Sequence, residues 1–258
     1  MNPRPQRSLR HEYEIFVDAE IEYYKESIPR SALLSIGDEA VDRLSSGPQM
    51  LLTELLLCDE VNEIIFRRLR LPSYNTWRRK RLKIAEELRR PEHWGLSPNH
   101  VAVRAMEQAA EGRVLMAGVA EEKSALFLAA NGCQVTAVNR EPDALERVMQ
   151  AASEAGLAER VHTVESDLSA WEPDAPLTAV ICTGAALADL TPKERRRVIE
   201  VLQSATADGG VHLLQAIVSG SRKAVSVTEL RSRYRGWAVT VDDADGSGDT
   251  FVARKEIA

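Results

Sequence analysis

The sequence predicts an α/β protein: a seven-stranded, doubly wound, mostly parallel sheet ending in a C-terminal antiparallel hairpin, preceded by an all-helical region. Three observations carry this. From about residue 101, short Val- and Ala-rich runs alternate with amphipathic stretches, the signature of β-α repeats. The last two runs are separated only by the turn composition "DADGSGD", which makes them a hairpin. Residues 1–98 show helical spacing of apolar side chains throughout.

Four helices are expected in that first region. "RHEYEIFVDAEIEYYKES" sets Tyr13, Phe16, Ile21 and Tyr24 among charges, and "PRSALLSIGDEAVDRL" carries Leu33, Leu34, Ile36 and Val41 on its apolar side. "PQMLLTELLLCDEVNEIIFRRLR" is strongly apolar but too charged in its second half to span a membrane. "SYNTWRRKRLKIAEELRR" begins at Ser73, a plausible N-cap. Pro91, Gly95 and Pro98 then mark a linker, "PEHWGLSPNH", so the domains read as 1–98 and 99–258.

In the second domain the strand candidates are "RVLMAG", "QVTAVN", "RVHTVES", "LTAVICTG", "GVHLLQAIV", "WAVTVDD" and "DTFVARK". Between them lie the helices "EKSALFLAANG", "EPDALERVMQAASEAGL", "TPKERRRVIEVLQSATADG" and "VSVTELRSRYRG".

Composition narrows the function classes. An apolar fraction of 44 % with only 5 % aromatics implies an aliphatic core, and a net charge of −6 is unlike a general nucleic-acid binder. Cys58, Cys133 and Cys182 lie far apart, form no metal spacing and sit in apolar surroundings, so all three read as packing residues. The five histidines show no ligand spacing, and His162 and His212 read as core or sheet-edge residues. The N-terminal "MNPRPQRSLRHEYE" lacks the apolar segment of a signal peptide, and no run reaches the roughly 18 apolar residues of a spanning helix. A reducing cytoplasm is the expected compartment.

The stretch "VLMAGVAEEKSALFLA" is the informative one. It reads as a buried strand, a tight turn and a helix start, where α/β proteins place a nucleotide-type ligand. Such a turn is normally glycine-rich. Here Gly118 is followed by Val119, Ala120, Glu121 and Glu122.

Residues 100–255 resemble class I methyltransferases that use S-adenosylmethionine (SAM), in particular the small-molecule group related to tellurite-resistance proteins. The resemblance rests on "RVL…ALFLAANGCQVTAVN…ALERV", "RVHTVESDLSAWEP", "DGGVHLLQAI" and "ELRSRYRGWAVTV…DTFVARK". It implies a cofactor pocket with an acidic residue closing the first strand, three loop glycines, a ribose-binding acid after the second strand and an adenine-side acid after the third. At those positions stand Met116, then Gly118, Ala120 and Glu122, then Asn139, and finally Asp167 beside Leu168 in "SDL".

Only Gly118 and Asp167 keep the pattern. A hydrogen bond to a charged group contributes about 1.5–3 kcal/mol, much of which Asn139 gives up. Ala120 adds about 1–2 kcal/mol of strain if its φ is positive. Glu122 brings bulk and negative charge to the helix start. "VICTGAALADL" offers Cys182, Thr183 and Asp189 near the fourth strand but no acid–base pair. These departures predict a methyltransferase-like chain with no catalytic residues and no cofactor. It would serve as an accessory subunit of a larger assembly at the cytoplasmic face of a membrane, such as a photosynthetic or respiratory complex. The alternative is an active SAM-dependent methyltransferase acting on a small molecule.

Residues 67–90 hold ten Lys and Arg against two Glu. Arg67, Arg68, Arg70, Tyr74, Trp77, Arg78, Arg79, Lys80, Arg81 and Lys83 form the candidate docking segment. A solvated helix, anionic lipid headgroups with Trp77 at the interface, and an acidic protein partner are the readings it supports; RNA is the weakest.

Overall fold

The computed structural model describes residues 8–45, 54–108, 112–118, 122–188, 190–215, 225–242 and 250–257. Helix α1 (Leu9–Ser27) starts where the Ser8 hydroxyl accepts from the His11 N–H. It stops at Ile28, extended because Pro29 follows. With α2 (Arg30–Ser45), α3 (Glu54–Arg68) and the first turns of α4 (Tyr74–Leu88) it belongs to a unit spanning Met1–Ile84. That unit has a small core. Ile21, Ile36, Ala40, Ile64 and Ile65 are its buried residues, and α4 buries none. A second contact joins α1 to α4 through Tyr13, Phe16, Tyr74 and Trp77, whose ring centroids lie 5.5–6.5 Å apart. The Tyr13 hydroxyl donates to the Pro72 carbonyl at 3.0 Å.

The second unit, Ala85–Ala258, contains the sheet. Composition sets the boundary at residue 98, whereas the compact units divide between Ile84 and Ala85. Residues 85–98 pack with the sheet unit: Leu96 is buried in its core, and the Trp94 indole N–H donates to the Leu88 carbonyl at 2.7 Å. Helix α5 (Val101–Gln108) follows. The sequence does not predict it, because Val101 and Val103 favour strand and the segment is only two turns long. Burial of Val101, Ala102, Val103 and Ala105 decides its state.

The strands are β1 (Arg113–Ala117), β2 (Gln134–Asn139), β3 (Val161–Glu165), β4 (Leu177–Cys182), β5 (Thr206–Gln215), β6 (Trp237–Asp242) and β7 (Thr250–Lys255). Their order is β3-β2-β1-β4-β5-β7-β6. Pairs among β1–β5 are parallel, and β7 runs antiparallel to both β5 and β6. This is the predicted seven-stranded sheet with its antiparallel C-terminal pair. Residues alternate between two cores. Val114 and Met116 face the layer of α5, α6 (Glu122–Ala130) and α7 (Pro142–Glu154). Leu115 and Ala117 face α9 (Pro192–Ala205) and α10 (Val227–Arg233). Both faces are covered, which is why β1 reads as a continuous apolar run. Helix α9 opens with a full capping box: the Thr191 hydroxyl accepts from the Glu194 N–H, the Glu194 carboxylate accepts from the Thr191 N–H, and Pro192 stands at the first position. Strand β5 begins at Thr206, four residues before the run the sequence predicts.

Candidate functional site

The strand order reverses between β1 and β4, the point at which open α/β sheets place a ligand beyond the strand ends. Gly118 follows β1 there with φ +71°, and its N–H donates to the Val138 carbonyl at 3.1 Å. A Cβ here would overlap the Thr183 hydroxyl and stand 2.7 Å from Ala186 Cβ. Both the backbone conformation and the close approach therefore require glycine. Ala120, and with it Val119 and Glu121, lies outside the described residues, as does Asp189.

Asn139 closes β2. Its carbonyl oxygen accepts from the Ser166 N–H at 3.1 Å, and its side-chain oxygen accepts from the Glu141 N–H at 3.2 Å. Asp167 follows β3 and pairs with Arg140 at 3.3 Å, both side chains about half exposed. Leu168 beside it is buried in the core facing α9. Structure thus brings Gly118, Asn139, Asp167 and Leu168 to adjacent strand ends. It also adds Arg140, whose one signal in the sequence is its place directly after the position that the resemblance assigns to the ribose. Glu122, expected to bring negative charge to the helix start, is paired with Arg147 of α7 at 3.3 Å.

On the β4 side, the Thr183 N–H donates to the Ala117 carbonyl at 3.1 Å, and the Thr183 hydroxyl accepts from the Ala186 N–H at 3.4 Å. This opens the short helix α8 (Gly184–Ala188). Arg195, 6 % exposed, holds the segment from behind. Its guanidinium donates to the carbonyls of Leu187 at 3.1 Å and Leu190 at 3.2 Å and to Glu229 at 3.0 Å.

Cys182 is no nucleophile: burial pushes its thiol up to about 12. Cys133 is likewise buried, but Cys58 is exposed, contrary to its packing assignment. Its neighbours Leu55 and Asp59 are also on the outside of α3. His162 lies on the edge strand β3, while His212 is fully buried in β5. Burial, followed by the charge of Lys255, pushes His212 down to about 3. Among the described residues no group of three or more His, Cys, Asp or Glu is placed to hold a metal, and no helix is long and apolar enough to cross a membrane.

The candidate docking residues belong to the first unit and divide into two sets. Arg67 pairs with Glu63, Arg68 with Glu39 and Arg81 with Glu12. The Arg68 guanidinium holds the Glu39 carboxyl below its usual range. Tyr74 and Trp77 stack on α1 instead of forming an outer aromatic edge, and Arg70 takes a left-handed φ of 52° at the end of α3. Arg78, Arg79, Lys80 and Lys83 are exposed on α4, Lys83 with a partner of its own.

Sheet order, terminal antiparallel strand and glycine turn together define the class I methyltransferase fold. Residues 114–210 match the family model described as "Methyltransferase domain". The structure of TehB from Haemophilus influenzae is 18 % identical, with a TM-score of 0.52 over 60 % of this chain and 61 % of that one. The glycopeptide N-methyltransferase MtfA complexed with sinefungin is 14 % identical, with a TM-score of 0.50 over 63 % of this chain and 87 % of that one. This chain therefore aligns with less than two thirds of TehB. No curated protein sequence matches it. The expectation that no cofactor goes with this chain does not stand: a structure of the same fold is a methyltransferase holding a SAM analogue.

Proposed function

We propose that the second unit is a SAM-dependent methyltransferase acting on a small molecule. The observation that carries this reading is Gly118, held at φ +71° where the fold reverses, with Asn139 and Asp167 on the neighbouring strand ends. The sinefungin-bound MtfA supports it.

The residues fit the group. Asn139, whose side-chain oxygen also accepts from the Glu141 N–H, meets the ribose with an amide in place of a carboxylate, at lower strength. Asp167 accepts from an adenine amino group, and Arg140 orients it. Glu122 no longer counts against a carboxylate at the helix start, because Arg147 neutralises it. When bound, SAM supplies a sulfonium methyl for transfer to a nucleophile. Thr183 and Ala186 then bound the acceptor side. The helix they begin, "GAALA", carries no charge, which suits a small acceptor better than a polyanion. On this reading rate acceleration comes from holding the two reactants in line.

Calorimetric titration with SAM, its demethylated product and sinefungin tests the reading. Micromolar binding is expected for all three; no heat at millimolar ligand overturns it.

A further inference from the structure

Seven of the eight large apolar side chains exposed among the described residues lie on α1–α4. Four of them, Ile15, Tyr23, Leu82 and Ile84, lie on the adjoining helices α1 and α4. Charge in the unit is also segregated: residues 8–63 hold thirteen Asp and Glu against four Lys and Arg, whereas residues 64–85 hold eight Lys and Arg and no acid.

The two sets fall on helix faces that complement each other. On the outer face of α1, Asp18, Glu22 and Glu26 recur every four residues, one turn apart on the same side. Beside them runs a second stripe at the same interval: Ile15, Ala19 and Tyr23, the last 72 % exposed. Over its first three turns the outer face of α4 has the opposite character, with Glu86 and Glu87 confined to its last turn. Arg79 and Lys83 are one turn apart, Arg78 and Lys80 flank them, and Leu82 stands between at 46 % exposure. Among the described residues no acidic partner is seen for Arg78, Arg79 or Lys80.

We propose that these faces are the two halves of one contact between two copies of this chain. Helix α1 of one copy lies against α4 of the other, and the contact is made twice about a two-fold axis. Within a copy α1 and α4 are neighbours, joined by Tyr13 on Tyr74 at 5.5 Å, so both contacts fall side by side across a single axis. Doubling the contact brings two helix pairs toward the roughly 1,000 Å² that a specific interface needs. An anionic bilayer fits less well, because the acidic stripe of α1 stands next to the basic face and would be pressed onto like charge.

Sedimentation velocity of the full chain at low salt, over about 1–100 µM, reads the outcome. A species of twice 28.6 kDa is expected, giving way to monomer as added salt screens the charges. Two variants make the test specific. Arg79→Glu with Lys83→Glu in one chain, and Asp18→Lys with Glu22→Lys in another, each put like charges at both contacts. Each alone is expected to weaken dimerisation by about tenfold or more. Mixed together they restore opposite charges at both contacts, so the mixture dimerises again, which misfolded variants would not do. A wild-type chain that stays monomeric across the range overturns the proposal. So does a dimer indifferent to either reversal, or a monomer that adsorbs to phosphatidylserine vesicles through Arg79 and Lys83.

Discussion

Arg195 donates to the Glu229 carboxylate at 3.0 Å with only 7 % of its side chain exposed to solvent. The same guanidinium holds the carbonyls of Leu187 and Leu190. One buried cation thus ties the segment after β4 to α9 and α10. Arg195→Ala strands two carbonyls and a carboxylate at once, and is expected to cost about 3 kcal/mol in urea unfolding. Arg196 next to it makes an exposed pair with Glu200, and Arg196→Ala is expected to leave the urea midpoint unchanged. Equal effects from the two substitutions would refute the clamp.

His212 predicts a pH dependence. Its Nε2 lies 2.7 Å from the Thr206 hydroxyl and its Nδ1 2.7 Å from the Tyr234 hydroxyl. Thr206 donates its own proton to the Leu202 carbonyl, so Nε2 carries the imidazole hydrogen and Tyr234 donates to Nδ1. The fold holds this ring neutral down to about 3, against an ordinary value of 6.5. A lowered histidine value means the unfolded chain takes up the proton first. Stability is full above pH 6.5 and is lost as pH falls from there toward 3. Between pH 6.5 and about 5, before most carboxylates titrate, the loss should approach about 2 kcal/mol. Urea midpoints of wild type and His212→Gln across that window check it. A variant with the wild-type slope would rule out His212 as the source.

The sheet was legible because each strand carries its own signal. "VLMA" and "LTAVIC" are continuous apolar runs because both faces are covered, and "DADGSGD" marks the reversal. Three features were not legible. Helix α5 is short and valine-containing, so its state is set by burial. Strand β5 begins inside what reads as the end of α9, since nothing in "SATADG" marks the change. Arg195 is the first of three consecutive arginines in "KERRRVIEVL", a run that reads as a solvated face; only the register of the helix, which turns Arg195, Val198, Ile199 and Leu202 inward, singles it out. At the site, Gly118, Asn139 and Asp167 came from the resemblance, whereas the charges that neutralise Asp167 and Glu122 come from other elements and leave no pattern in sequence.

Two glycines separate conformational strain from steric exclusion. Gly95 and Gly118 have similar φ values, +67° and +71°. A Cβ on Gly95 meets nothing within 4 Å, whereas one on Gly118 collides with Thr183 and Ala186. Gly95→Ala is expected to cost about 1–2 kcal/mol, the left-handed penalty alone. Gly118→Ala adds overpacking of about 1–3 kcal/mol. Thermal unfolding should rank them in that order, and the reverse order would mean that α8 yields freely at Gly118.

Asn139 offers the most direct handle on the proposed cofactor. A neutral amide accepts one ribose hydroxyl less strongly than a carboxylate accepts two. Asn139→Asp is therefore expected to tighten sinefungin binding by about tenfold, or ~1.4 kcal/mol. Arg140, next in the chain and already paired with Asp167, offsets the added negative charge and keeps the substitution compatible with the fold. Arg140→Ala removes that compensation and should reduce the gain. Calorimetry on the wild type and the two single variants and the double variant gives the coupling between the residues. If Asn139→Asp leaves affinity unchanged while wild type binds sinefungin, the ligand's ribose does not sit at the end of β2.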